Sequence, residues 1–118
     1  MRDAKPTSEF IAHTKALQAA GIALELVSRL PVAYRSLADQ VIRSAASVPA
    51  NLADGLGRSG KDRAYHWRVA YGSAREIDTH LVLLTGAGLI DRRTAGRSRA
   101  LFDEVRAMTW RLLHPKKP

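Results

Sequence analysis

The chain has 118 residues, 46% of them hydrophobic and 25% charged. That is one domain's worth of ordinary globular composition and excludes disordered and collagen-like chains. Lys and Arg number 19 against 11 Asp and Glu, a net charge of +8 that favours polyanionic partners, and cysteine is absent, which excludes disulfides, thiolate metal sites and cysteine nucleophiles.

Apolar residues recur at helical spacing nearly throughout, and no stretch alternates strictly enough for a strand. In the first segment Phe10, Leu17 and Leu24 repeat every seven residues and define the expected core seam, widened by Ile11, Ile22 and Leu26. Pro6 and Thr7-Ser8 suit a helix start, and Leu30-Pro31 suits its end, because the residue before proline is pushed out of the α region. The second segment carries Leu37, Val41, Ala45, Val48 and Leu52. Pro49 lies within it, removes a backbone donor and predicts a kink or restart near Val48, with the Asn51 side chain bonding backbone that the proline frees. The third segment carries Tyr65, Val69, Ser73, Ile77, Leu81 and Leu84, preceded by Ser59-Gly60-Lys61-Asp62, a capping-box pattern, and closed by Gly86 and Gly88. The fourth carries Leu101, Val105, Met108 and Leu112, with Asp91 placed to cap it.

Helices at about 8–29, 33–56, 60–86 and 92–113, with short connections, predict an all-α fold. The expected architecture is an antiparallel up-and-down four-helix bundle over 1–118, a single domain kinked at Pro49 in the second helix. Ile42, Trp67, Tyr71, Trp110 and Leu113 fall off the main seams, which predicts an oligomer interface. The longest uncharged run, Thr79 to Ile90, is too short to span a bilayer. Met1 to Pro6 leads into no apolar signal region, so a cytoplasmic protein with no membrane partner is expected. Pro115-Lys116-Lys117-Pro118 reads as a tail.

Three constellations invite enzymatic readings. Gly55-Leu56-Gly57-Arg58-Ser59-Gly60-Lys61 matches glycine spacings of dinucleotide and phosphate loops. Both need a preceding strand, however, and a phosphate loop needs Ser or Thr where Asp62 stands. Ser73, Glu76 and His80 share one helix face, yet they project in parallel with no oxyanion donors, so a partly buried polar contact is the better reading. There Gly72-Ser73 would admit a neighbouring helix closely, and Glu76 would pair with an arginine across the bundle. A carboxylate-bridged metal bundle needs Glu-x-x-His twice; Glu76 and His80 stand four apart and have no second copy. No enzyme, metal or cofactor is expected.

Charge offers the stronger signal. Arginines number fourteen against five lysines, and residues 92–118 carry eight basic and two acidic groups. Arginine's planar fork suits phosphate and stacks on bases. Two stretches join basic excess to the free amides of a helix start: Arg58, Lys61 and Arg63 at the third helix, and Arg92, Arg93, Arg97 and Arg99 at the fourth. These seven are the candidate nucleic-acid contacts, RNA more than DNA.

The run Gln40-Val41-Ile42-Arg43-Ser44-Ala45-Ala46-Ser47-Val48-Pro49-Ala50-Asn51-Leu52-Ala53-Asp54-Gly55 resembles the signature of a bacterial four-helix-bundle family. That family comprises proteins encoded in intervening sequences of large-subunit ribosomal RNA and the accessory variability determinant of diversity-generating retroelements. Ala70-Tyr71-Gly72-Ser73-Ala74-Arg75-Glu76 resembles its second block, and Leu30-Pro31 resembles the Phe-Pro ending its first helix. Departures are Asp54 for Glu, Leu30 for Phe, and Tyr71 where a basic residue is common. The resemblance spans about residues 10–113 and marks Pro49, Asn51, Gly55, Gly72, Ser73 and Glu76 as structural-motif positions. It implies a homopentameric ring without catalytic activity that binds RNA through basic surfaces and, in the retroelement branch, a reverse transcriptase. Arg43 and Arg75 lie within the blocks and are expected in ion pairs of the bundle or between subunits. A different class of role, an oligomeric scaffold whose basic surface meets an acidic protein, is the alternative.

Overall fold

In the computed structural model, which describes residues 7–116, helix formation begins where Thr7 supplies a cap: its Oγ1 accepts from Phe10 N at 3.1 Å. Helix α1 runs Ser8–Ser28 with Glu9 in its first turn, where a carboxylate complements the helix dipole. After a 3-10 turn at Val32–Tyr34, α2 runs Arg35–Leu56, α3 Gly60–Gly86 and α4 Arg92–Leu113. Each helix packs on the next, and α1 closes the ring on α4, which makes an antiparallel four-helix bundle. No strand occurs among the described residues. Pro6, Met1 to Lys5 and the terminal Lys117-Pro118 lie outside them.

The α1 core face differs from the expected seam. Phe10, Leu17 and Leu24 are 57%, 52% and 38% exposed. The buried stripe is instead Ala12, Ala16, Ala19, Ala20, Ala23 and Val27. Small side chains let α4 approach closely enough for the buried Ser98 Oγ to donate to Ala19 O at 2.9 Å. The apolar heptad faces outward as a result, and its Leu17 and Leu24 line a groove of about 470 Å³ shared with Ala46, Pro49, Ala50 and Ala53 of α2.

The other helices follow their seams more closely. Val41, Ala45, Val48 and Leu52 of α2 are buried, as are Ile77, Leu81 and Leu84 of α3 and Phe102 and Val105 of α4. Tyr65 faces solvent, while Trp67, expected off the seam, is core at 6% exposure. An indole of that size fits because it lies on Gly55: a methyl group there would stand 2.5 Å from Trp67 Cδ1. The close approach expected at Gly72 thus occurs at Gly55, since Gly72 is exposed with nothing within 4 Å of an added Cβ.

Pro49 is buried inside α2, which is continuous from Arg35 to Leu56 and does not restart there. Asn51 Nδ2 donates to Ser47 O at 2.9 Å and Ser47 Oγ at 3.0 Å. The proline frees the carbonyl four residues back, Ala45 O, so Asn51 serves a different acceptor from the one expected. The end of α3 has a specific cause. Gly88 takes φ +73, and the amides of Gly88 and Leu89 return to Thr85 O and Leu84 O at 3.0 Å each. Left-handed backbone of that kind favours glycine.

Candidate nucleic-acid interface

The two predicted basic stretches start from opposite ends of the bundle. Arg58, Lys61 and Arg63 flank the α2–α3 turn, whereas Arg92, Arg93 and Arg97 begin α4 beyond the α3–α4 turn. With 27 residues in α3, the two turns stand about 40 Å apart at 1.5 Å per residue.

At the α2–α3 turn most of the charge is already engaged. Ser59 makes no side-chain cap bond, so the expected capping box does not form. Asp62 instead pairs with Arg58, Nη1 to Oδ2 at 2.8 Å, and this contact raises the Arg58 pKa above its ordinary value. Arg63 turns back on α2: Nε donates to Gly55 O at 2.9 Å and Nη2 to Leu56 O at 3.2 Å. Those are among the last carbonyls of α2, which lack partners within the helix, and the guanidinium also lies 5.4 Å from the Trp67 ring centre. Lys61 is exposed and makes no ion pair among the described residues.

The start of α4 is different. Asp91 caps it, with Oδ2 accepting from Thr94 Oγ1 at 2.7 Å and Thr94 N at 2.8 Å. Those two bonds, side chain first, hold the Asp91 carboxyl below the ordinary aspartate value, helped by the Arg93 charge. The first turn contains no acidic residue, and Arg92, Arg93 and Arg97 are exposed without ion pairs among the described residues. Asp91 is the one anion at the positive end of this helix dipole, so three arginines leave the helix start with a net positive charge that a further anion would offset. Arg99, two residues on, is committed across the bundle: Nε reaches Asp78 Oδ1 at 2.8 Å, which raises its pKa.

The motif residues form a polar seam between α2 and α3. His66 Nδ1 bonds Asn51 Oδ1 at 3.0 Å, and Ser73 Oγ donates to Ser47 Oγ at 2.8 Å. Among the described residues Glu76 meets no arginine; its ion-pair partner is His80 Nε2 at 3.6 Å, and neither His80 ring nitrogen has a hydrogen bond. Ser73 is turned to Ser47 rather than to His80, so the trio forms no proton relay. Arg43 and Arg75 are exposed and make no ion pair within the bundle among the described residues. The glycine loop pattern falls on the end of α2, a turn and the start of α3, with Gly60 at φ +58 and no strand before it.

One surface carries basic and aromatic groups that the sequence spacing did not join. Tyr71 of α3 and Arg106, Trp110 and Arg111 of α4 line a hollow of about 510 Å³. Trp110 remains 48% exposed with the His114 ring stacked on it at 4.2 Å. Tyr71 and Trp110 lie far apart in sequence, and only the antiparallel packing of α3 on α4 brings them together.

No helix among the described residues is long and apolar enough to cross a membrane. A family model described as 23S rRNA-intervening sequence protein matches residues 8–111. No curated protein matches the chain. Among solved structures, a protein of unknown function from the S23 ribosomal protein family of Bacteroides thetaiotaomicron is similar, with a TM-score of 0.81 at 19% identity. The likeness covers 91% of this chain and 98% of that one. At that identity it speaks for the fold alone.

Proposed function

This chain belongs to the 23S rRNA-intervening sequence protein family, and on that premise we propose that it is a non-catalytic RNA-binding accessory protein acting in the cytoplasm as a ring-shaped homo-oligomer. The observation that carries this reading is the excess of positive charge at the start of α4, where three arginines meet the single Asp91 carboxylate. Arg92, Arg93 and Arg97 face solvent without ion pairs among the described residues, beside the first-turn amides that the Asp91 cap leaves free. Phosphate satisfies both the amides and the guanidinium groups. Lys61 adds a free cation at the other end. Arg58, Arg63 and Arg99 belong to the proposed surface in second rank, since each must exchange a present partner for phosphate.

The outward stripe of Phe10, Leu17 and Leu24 supports self-association, because a lone protomer leaves it in water. A pentamer is the proposed assembly, and a retroelement reverse transcriptase a proposed protein partner. Repetition around a ring would make several weak phosphate contacts act together. The competing reading is a scaffold that meets an acidic protein.

Titration with structured RNA at two salt concentrations separates the two. Phosphate binding weakens steeply with salt through counterion release. Tight binding to an acidic protein with none to RNA would overturn the reading, and a monomer in light scattering would remove the ring.

A further inference from the structure

We propose that the hollow between α3 and α4 around Trp110 is a stacking platform for single-stranded nucleic acid. The inference deepens the RNA-binding reading and rests on it. Trp110 exposes nearly half its surface, and the His114 ring stacks on it at an interplanar angle of 22°. A planar ring thus already lies on the indole, and a base would take the place His114 holds; every base has a π face, so recognition there is tolerant of sequence.

The surrounding charge selects the occupant. Arg68 and Arg75 stand three before and four after Tyr71, which places all three on one side of α3. Arg111 adjoins Trp110 on α4, and all three arginines are exposed without ion pairs among the described residues. The one carboxylate lining the hollow, Asp103, is taken by Arg106. Arg111 beside the indole, with Arg68 and Arg75 on the Tyr71 side of α3, complements a phosphate backbone whose bases are splayed. A duplex hides its bases and gains nothing from Trp110.

The readout is built into the chain. It has two tryptophans, and Trp67 is buried in the core at 6% exposure, so quenching by added nucleic acid reports Trp110. A short oligoadenylate should quench the fluorescence of the full chain, and its duplex with oligouridylate should quench far less. Trp110→Ala should weaken single-strand binding roughly tenfold while leaving duplex binding unchanged, and Trp110→Phe should retain most of the affinity. Arg111→Gln should flatten the salt dependence of single-strand binding with fluorescence quenching preserved. Light scattering and circular dichroism on each variant should match the parent. Duplex and single strand binding equally, with Trp110→Ala inert, would overturn the platform and leave the RNA-binding reading standing. Absence of binding to either nucleic acid would overturn both. A smaller particle for Trp110→Ala would identify the patch as a contact between copies and overturn the platform.

Discussion

Replacing Gly55 by Ala tests the packing of α2 on α3 at its tightest point. Helix propensity alone favours the change by about 1 kcal/mol, since Gly55 is helical and alanine is the better helix former. Packing opposes it. The added methyl would stand 2.5 Å from Trp67 Cδ1, whereas carbon contacts settle near about 3.5–4.0 Å, so the ring must move by about 1 Å. Trp67 is buried, so it has no free space to yield into. Overpacking of that kind costs about 1–3 kcal/mol. Displacing the indole also breaks the Nε1 bond to Leu52 O, long at 3.4 Å, at about 1 kcal/mol or less. The net expectation is a loss of about 1–3 kcal/mol, or roughly 3–6 °C in thermal midpoint per kcal/mol for a chain of this size. Gly72→Ala is the internal control: nothing lies within 4 Å of its added methyl, so propensity acts alone and the midpoint should rise. Thermal melts followed by circular dichroism compare the two. Equal or greater stability for Gly55→Ala would refute the packing argument.

Leu17→Glu should dissociate the proposed oligomer without unfolding the protomer, since Leu17 is exposed along the α1 stripe; unfolding instead would place that stripe in the core. Arg63→Ala should destabilise by about 1–3 kcal/mol through the lost charge-assisted bonds to Gly55 O and Leu56 O, and Arg63→Lys should restore little, because a point charge cannot span two carbonyls. Asp91→Ala should lower the melting temperature at neutral pH. The Asp91 carboxyl is held below its ordinary value by Thr94 and then Arg93, so its contribution is present above the unfolded aspartate pKa of about 3.9 and disappears as pH falls through the lower folded value. The variant and parent melts should therefore converge in strong acid; a constant gap across pH would show that the cap does not act through its charge.

The fold class was legible because periodicity and punctuation agreed: helical spacing in four segments, proline after the first, glycines after the third, aspartate before the fourth. The inward face of α1 was not legible. Phe10, Leu17 and Leu24 outweigh Ala12, Ala16, Ala19 and Ala23 in any reading by hydrophobicity, yet close approach to α4 rewards small side chains. Gly55 and Gly72 look equivalent in sequence, and only the position of Trp67 distinguishes them. The candidate contacts sorted in the same way. Charge density located the arginines, but tertiary structure decides which are free: Arg63 is drawn to the end of α2, Arg99 to Asp78, while Arg92, Arg93 and Arg97 make no ion pair among the described residues. The Tyr71–Trp110 hollow needed the register of α3 against α4, which no local pattern contains.

The salt dependence of RNA binding, parent against the quadruple variant Arg92→Gln, Arg93→Gln, Arg97→Gln and Arg99→Gln, tests the central claim most directly. Each phosphate neutralised on a duplex contributes about 0.9 to the slope of log affinity against log salt. Three free arginines should therefore flatten the slope by roughly three for each protomer engaged, with Arg99 adding less because Asp78 competes for it. The account predicts weaker binding to every structured RNA tried, a flatter slope and an unchanged particle size. A quadruple variant that binds RNA as tightly as the parent, with the same slope, would contradict it.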